Sequence, residues 1–222
     1  MSKDNFFLKT KTHRVLTWPA RILVFLMLLM FAYLLIPVAK HVVVSYIVDV
    51  DQPAATRHLV VENWTADADV FEQARVIASR VGDPEIWALV SSRPYFEDRA
   101  RKQTMVNAWA AGIDTAKLRL ILLISKEPKT FNNARAIVDT ASKLGWKELT
   151  LVTAVFHSAR SKKALLYFAR TKGIEIRVLP YFEPGTSLND WYESDTGQAE
   201  AFNEFLKTFF YDIYVFRLHS IV

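Results

Sequence analysis

The chain has no cysteine among its 222 residues. That absence removes disulfides, Cys-ligated zinc, iron–sulfur clusters and thiol catalysis, and it is compatible with either side of a bacterial membrane. Glycine loops of the phosphate-cradling kinds are also missing: there is no GxGxxG and no Walker A lysine loop. The HExxH signature is absent, and so is the GxSxG elbow of serine hydrolases. No internal repeat, low-complexity segment or second domain is visible. Nothing therefore compels a named reaction, whether the protein is an enzyme stays open, and neither a cofactor nor a metal-ligand set is indicated.

Acidic residues are scarce at the front of the chain. Residues 1–21 carry Lys3, Lys9, Lys11, Arg14 and Arg21 against Asp4 alone. Much of the formal net charge of +5 sits there, and the remainder is close to balanced. The body has no basic stripe interleaved with aromatics, so nucleic acid is not an expected partner.

A charge-free run follows, ILVFLMLLMFAYLLIPVA at residues 22–39. An α-helix rises about 1.5 Å per residue and the hydrocarbon core is about 30 Å thick, so roughly 20 residues are needed to cross it. With residues 18–21 at one interface and Lys40 and His41 at the other, the run is expected to be a transmembrane anchor. Trp18 suits the aromatic belt. Pro37 is tolerable so near the end. A cleaved signal peptide would need small residues at its cleavage site, and Pro37-Val38-Ala39 is a poor match. A core helix would be apolar on one face, whereas this one is apolar all round. The excess of Lys and Arg predicts that residues 1–21 are cytoplasmic. The expected location is a single-pass protein of the bacterial inner membrane with the remainder outside, periplasmic in a Gram-negative cell. Residues 40–56 read as a juxtamembrane linker, of which 42–48 either extend the helix or lie at the interface.

Residues 57–222 read as one α/β domain. Five apolar runs, at 58–62, 86–91, 118–124, 149–155 and 174–179, have the length and β-branched content of buried parallel strands. Helical spacing lies between them. Val70, Phe71, Ala74, Ile77, Ala78 and Val81 recur before Gly82, and Ala134, Ile137, Val138, Ala141 and Leu144 before Gly145. A further helix is expected from about 157 to 171, ending at Gly173. Residues 95–111 are helical in composition but highly charged at 99–102. A last helix carries Phe202, Phe205, Leu206, Phe209, Phe210, Ile213 and Phe216. The expected role of that stripe is core packing, with docking against the membrane or a second subunit as the alternative. The alternation predicts a Rossmann-like, open and mainly parallel sheet of about five strands with flanking helices.

In such a sheet, ligands bind beyond the carboxyl ends of the strands. After the fourth run come His157 and Arg160, three apart at a helix start and hence neighbours on its surface. Free backbone N–H groups and the dipole there suit an anion such as phosphate or carboxylate. His157 is also a candidate acid or base. The plainer reading is that His157 caps or packs the turn and Arg160 is a solvated charge. After the third run, Thr130 reads as a helix N-cap and Asn133 lies one turn in. After the first come Glu62 and Trp64, the latter covering either a ligand or the core. After the second come Ser91, Ser92 and Arg93. Covalent catalysis has no obvious nucleophile, and Ser91, Ser92 and Thr153 are the hydroxyls left open for that role.

The ordered set resembles a known family. Val152-Thr153, Phe156-His157 and Arg160 resemble the VT-x-x-[YF]-H-x-x-R segment of the YdcF-like family of SanA- and ElyC-type envelope proteins. Thr130-Phe131-x-Asn133-Ala134 is similar to its T-[YF]-x-N-A segment, and Val60-Val61-Glu62-x-Trp64 to a VVEGW opening in one branch. Trp191 and the long terminal helix match the tail of that branch. The resemblance covers residues 57–216. It implies a Rossmann-like domain, often on one N-terminal anchor, associated with the cell envelope, and it implies no settled reaction. Carried over by position, Glu62, Thr130, Asn133, His157 and Arg160 form the expected pocket. The expected ligand is an anionic, phosphate- or nucleotide-like small molecule or a lipid-linked one, with other envelope proteins as further partners. The chain departs from the pattern after its first two strands. Family members commonly have glycines there, and this chain has Asn63 and Ser91-Ser92-Arg93. Ala154 stands where a serine often follows the VT pair. The alternatives are a changed ligand, an enzyme acting on an anionic envelope substrate, and a scaffold that no longer binds.

Overall fold

The computed structural model describes residues 17–62, 68–82, 84–93, 95–182 and 187–215. Asn63, Trp64, Phe216 and the first sixteen residues of the basic N-terminus lie outside them. The chain divides into two compact units, residues 1–41 and 42–222.

The first unit is dominated by helix α1 (Trp18–Ile47), whose last turns from Val42 onward belong to the second unit. Its apolar side chains point outward on every side, and Leu23, Phe25, Leu28 and Phe31 are each exposed. One N-terminal helix is thus long and apolar enough to cross a membrane. Pro37 lies within it. The helix continues through residues 42–47 rather than breaking at 40.

The second unit is an α/β domain. Five strands, β1 (His58–Glu62), β2 (Glu85–Ser92), β3 (Arg119–Ile124), β4 (Glu148–Ala154) and β5 (Glu175–Tyr181), form one sheet in the order β3-β2-β1-β4-β5. Every pairing is parallel. Strands of such a sheet must be buried on both faces, which is why they read as unbroken apolar runs. On one face Val60, Leu89, Leu151 and Val178 pack with α4 (Lys129–Lys143) and α5 (Ser158–Ala169). On the other, Leu59, Val61, Ala88 and Val152 pack with α2 (Asp69–Arg80) and α3 (Glu97–Ala110). The stop after α4 has a clear cause. Gly145 takes φ +72°, its N–H reaches the Ser142 carbonyl, and Trp146 N–H reaches Ala141. That paired closure satisfies the orphan carbonyls of the last turn and favours glycine at the left-handed position.

The segment after α1 is fastened to the sheet edge. Asp51 exchanges two bonds with Val178 of β5: its N–H donates to the Val178 carbonyl, and its carboxylate accepts from the Val178 N–H, each at 2.8 Å. Lys162 binds both Asp49 (2.7 Å) and Asp51 (2.9 Å). Desolvation, the largest single effect on the Lys162 ammonium, works to lower it, but the two carboxylates together outweigh that and raise it.

The last helix, α6 (Asp195–Phe210), relaxes into a π-turn over Tyr211–Val215. The expectation that its aromatic stripe packs the core is overturned. Phe202, Leu206, Phe209, Phe210 and Ile213 are exposed, whereas Gly197, Ala201, Thr208 and Tyr211 are buried. The first turn is held tightly on the 3₁₀ turn before it (Trp191–Glu193), where a Cβ at Gly197 would collide with the Trp191 carbonyl oxygen. The small residues seat the helix, and most of the large ones are left facing out.

Candidate functional site

β1 and β4 are adjacent in the sheet, and the strand order reverses between them. Their helices depart to opposite faces, which opens a crevice beyond the carboxyl ends. Glu62 is the last residue of β1, and Thr153 sits near the end of β4. A tight 3₁₀ turn (Val155–His157) then delivers His157, and the first turn of α5 delivers Arg160 and Ser161. α4 packs beside α5 on the same face and brings Thr130. α6 closes the crevice and brings Glu204, Lys207 and Tyr211.

Glu62 is only 2% exposed. A carboxylate so buried needs hydrogen bonds, and its Oε2 accepts from Thr153 Oγ1 and Ser161 Oγ, each at 2.8 Å. His157 Nε2 lies 3.8 Å from the same oxygen. On its other side His157 Nδ1 is 2.7 Å from Arg160 Nη2 and 3.1 Å from Glu204 Oε2. A guanidinium nitrogen only donates and a carboxylate oxygen only accepts, so Nδ1 accepts from Arg160 in one tautomer and donates to Glu204 in the other.

Arg160 is the hub. Its Nε and Nη2 donate to Glu204 Oε2 at 3.2 and 2.7 Å, and its Nη1 donates to Thr130 Oγ1. The guanidinium also lies over the Tyr211 ring, 5.1 Å from its centroid, a cation–π contact. Lys207 Nζ donates to Glu204 Oε1 at 2.8 Å. Burial by itself pushes the Glu204 carboxyl up. The contacts with His157, Arg160 and Lys207 outweigh it and hold the group well below the usual carboxylate range. The guanidinium and ammonium exert that pull whichever tautomer His157 adopts.

These residues wall a cleft of about 650 Å³, lined by Thr130, Phe156, His157, Arg160, Glu204, Lys207, Phe210 and Tyr211. That volume suits a small-molecule ligand. Both ring nitrogens of His157 face protein groups rather than the open cleft. What the arrangement offers chemically is a receptor for negative charge, already holding a protein carboxylate.

Of the residues that the sequence nominates for the site, Glu62, Thr130, Thr153, His157 and Arg160 come together in one hydrogen-bonded network. Thr130 is not the N-cap of α4. Pro128 holds that position, after a cis Glu127–Pro128 bond, and the Thr130 hydroxyl is left to take Arg160. His157 precedes α5 without capping it through its side chain, and Arg160 is buried rather than solvated. Asn133 is 2% exposed beside Thr130 on α4, and its Oδ1 has no hydrogen-bond partner among the described residues. Ser91 and Ser92 end a different strand, and Ser92 borders a separate cleft of about 470 Å³ with Arg93, Phe96 and Arg99. Trp64 lies outside the described residues. Sequence reasoning missed Ser161, Glu204, Lys207 and Tyr211. Glu200, Glu204, Lys207 and Tyr211 recur at steps of four, three and four, the spacing of one helix face, and that signal was available. Among the described residues no three His, Asp or Glu side chains group closely enough to hold a metal ion. No family model matches the chain, and no curated protein or solved structure matches it.

Proposed function

We propose that the protein is a membrane-anchored, YdcF-like domain that binds an anionic, phosphate-like ligand in the cleft beyond β4, in cell-envelope biogenesis or polysaccharide metabolism. The observation that carries this is the seat of Glu204. A carboxylate is gripped by Arg160 and Lys207 at the switch point of a parallel sheet, where such folds bind ligands. A ligand's phosphoryl or carboxylate oxygens take the place of the Glu204 oxygens, with Thr130 and Lys207 as further donors. Binding is favoured over acid–base work by His157, because Nδ1 is held between Arg160 and Glu204 and Nε2 is buried, 3.8 Å from Glu62. The placement outside the cytoplasm rests on the basic residues before α1. It makes a lipid-linked sugar phosphate a more sensible ligand than a free nucleotide.

The test is calorimetric titration of inorganic pyrophosphate into the detergent-solubilised full chain. Glu204→Gln is expected to tighten binding at least several-fold by removing the resident carboxylate. Arg160→Met and Thr130→Val are expected to weaken it. Equal affinity in the wild-type chain, Arg160→Met and Thr130→Val, or no binding even to Glu204→Gln, refutes the proposal.

A further inference from the structure

α6 has two apolar faces of different kinds. The seated face is built from small residues, as described above. The other presents Phe202, Leu206, Phe209 and Ile213, spaced four, three and four apart in one stripe. These side chains are 61%, 47%, 51% and 36% exposed. Soluble domains rarely leave a contiguous stripe of this kind facing water, and where they do it marks a binding surface.

What lies beside the stripe identifies its occupant. The first residues of the second unit pack on α6. Val43 and Tyr46 join Ala201 and Phe205 in one cluster, and the Tyr46 ring lies 5.3 Å from that of Phe205. Tyr46 Oη donates to Asp212 at 2.6 Å, and Lys163 binds the same carboxylate at 2.8 Å. Phe205 and Asp212 are seven residues apart, so this seat runs along two turns of the helix. Phe205 sits three residues from Phe202 and four from Phe209, which makes the exposed stripe continuous with the seat. The charge-free run of the anchor ends at Ala39. Val43 lies four positions further on, and even fully extended that stretch reaches no more than about 14 Å.

We infer that α6 lies on the bilayer that holds α1, with Phe202, Leu206, Phe209 and Ile213 in its interfacial layer. The stripe is tethered within reach of that surface whatever the angle at the join between the units. Its Phe and Leu side chains are of the kind an interfacial helix buries at the headgroup boundary. This inference rests on reading α1 as a membrane anchor and is independent of the ligand.

The cysteine-free chain allows a direct test, because every introduced thiol is unique. Nitroxide labels are placed one at a time at Leu206→Cys, Phe209→Cys and Ile213→Cys in the full chain, reconstituted in phosphatidylethanolamine/phosphatidylglycerol vesicles. Leu29→Cys in α1 and Lys172→Cys, on an exposed turn after α5, are the lipid and water references. The expected ratio of oxygen to nickel-chelate accessibility along the stripe is several-fold above that of Lys172→Cys and approaches that of Leu29→Cys. Ratios equal to Lys172→Cys while Leu29→Cys is lipid-exposed overturn the inference and leave the anchor standing. Water exposure at Leu29→Cys as well overturns both. Labels shielded from both probes with spin–spin broadening assign the face to a second copy of the chain, and also overturn it. Three stripe positions are read separately, so one misfolded variant does not decide the outcome.

Discussion

Replacing Arg160 by methionine keeps most of the side chain's length and removes its charge. The structure sets what is lost. The guanidinium makes two bonds to Glu204, one to Thr130 and one to His157, and it lies over Tyr211. Arg160 and Glu204 are 7% and 13% exposed, so solvent does little to replace the lost partner. Breaking a buried pair from one side costs about 3–5 kcal/mol. Lys207 remains on Glu204, which argues for the lower end, about 3 kcal/mol. For a domain of this size each kcal/mol moves the midpoint by about 2–4 °C, so Arg160→Met is expected to lower it by about 6–12 °C at pH 7. The assay is thermal unfolding of the full chain in detergent, followed by tryptophan fluorescence. The pH dependence supplies a second check. The folded Glu204 carboxyl lies below its unfolded value, so its stabilisation is fully present above the ordinary carboxylate range and is lost as pH falls through that range toward the folded value. In Arg160→Met burial raises the same group, which protonates and relieves the penalty. The gap between the two proteins is therefore expected to narrow below about pH 5. The double variant Arg160→Met/Glu204→Gln should recover much of the loss, because the carboxylate left without its main partner is gone. A drop under about 3 °C, a gap that does not change with pH, or a double variant as weak as the sum of the singles refutes the reasoning.

Asp51→Ala removes the carboxylate that takes the Val178 N–H and one of the two partners of Lys162. The Val178 amide is expected to lose at least roughly ten-fold in hydrogen-exchange protection, the equivalent of about 1.5 kcal/mol, the lower end for a hydrogen bond to a charged group, while amides of the central strand β1 keep theirs. Unchanged exchange at Val178 would show that the segment after α1 is not held at this point. The outside placement of the domain predicts an active C-terminal alkaline phosphatase fusion and an inactive cytoplasmic reporter at the same position. The reverse pattern sinks it.

The strands were the most legible part of the sequence. β1 has the bounds its apolar run predicts, and the other four shift by one or two residues at their ends. A parallel sheet covered on both faces leaves no room for polar alternation, so its pattern survives in the sequence without ambiguity. The pocket was legible only where strand ends announce it. His157, Arg160, Thr153 and Glu62 follow from sheet topology, whereas Ser91 and Ser92 do not join them. The reversal of strand order lies between β1 and β4, and β2 stands two strands from β4, roughly 10 Å across the sheet. Glu204 was not legible from strand ends, because the residue that closes the crevice comes from a helix docked over it. α6 misled for a physical reason. Hydrophobicity says which residues prefer to leave water, and not which of two surfaces receives them. Here the domain takes the small residues of α6, and the large ones remain for another surface.

That division gives α6 two tasks on the proposed reading. It supplies the resident carboxylate of the cleft and also the apolar stripe. Glu204 is a competitor that never diffuses away. A group tethered beside its receptor acts at an effective concentration in the millimolar range or above. A free carboxylate offering one charge and the same two oxygens has little to gain by displacing it. A phosphomonoester or pyrophosphate offers more charge and more acceptor oxygens, and reaches Thr130 and Lys207 as well as Arg160. The receptor therefore discriminates by charge and by number of acceptors rather than by any single contact. Lys207 and Phe210 border the cleft on the same helix that carries the stripe. If the stripe rests on the bilayer, an anion carried by a lipid reaches the cleft without leaving the surface and arrives at a high local concentration. That is the condition under which displacing a tethered carboxylate is easiest. The two proposals then reinforce each other in a measurable way: pyrophosphate attached to a lipid should bind at far lower bulk concentration than inorganic pyrophosphate, and the advantage should persist in Glu204→Gln, because it comes from the surface and not from the competitor.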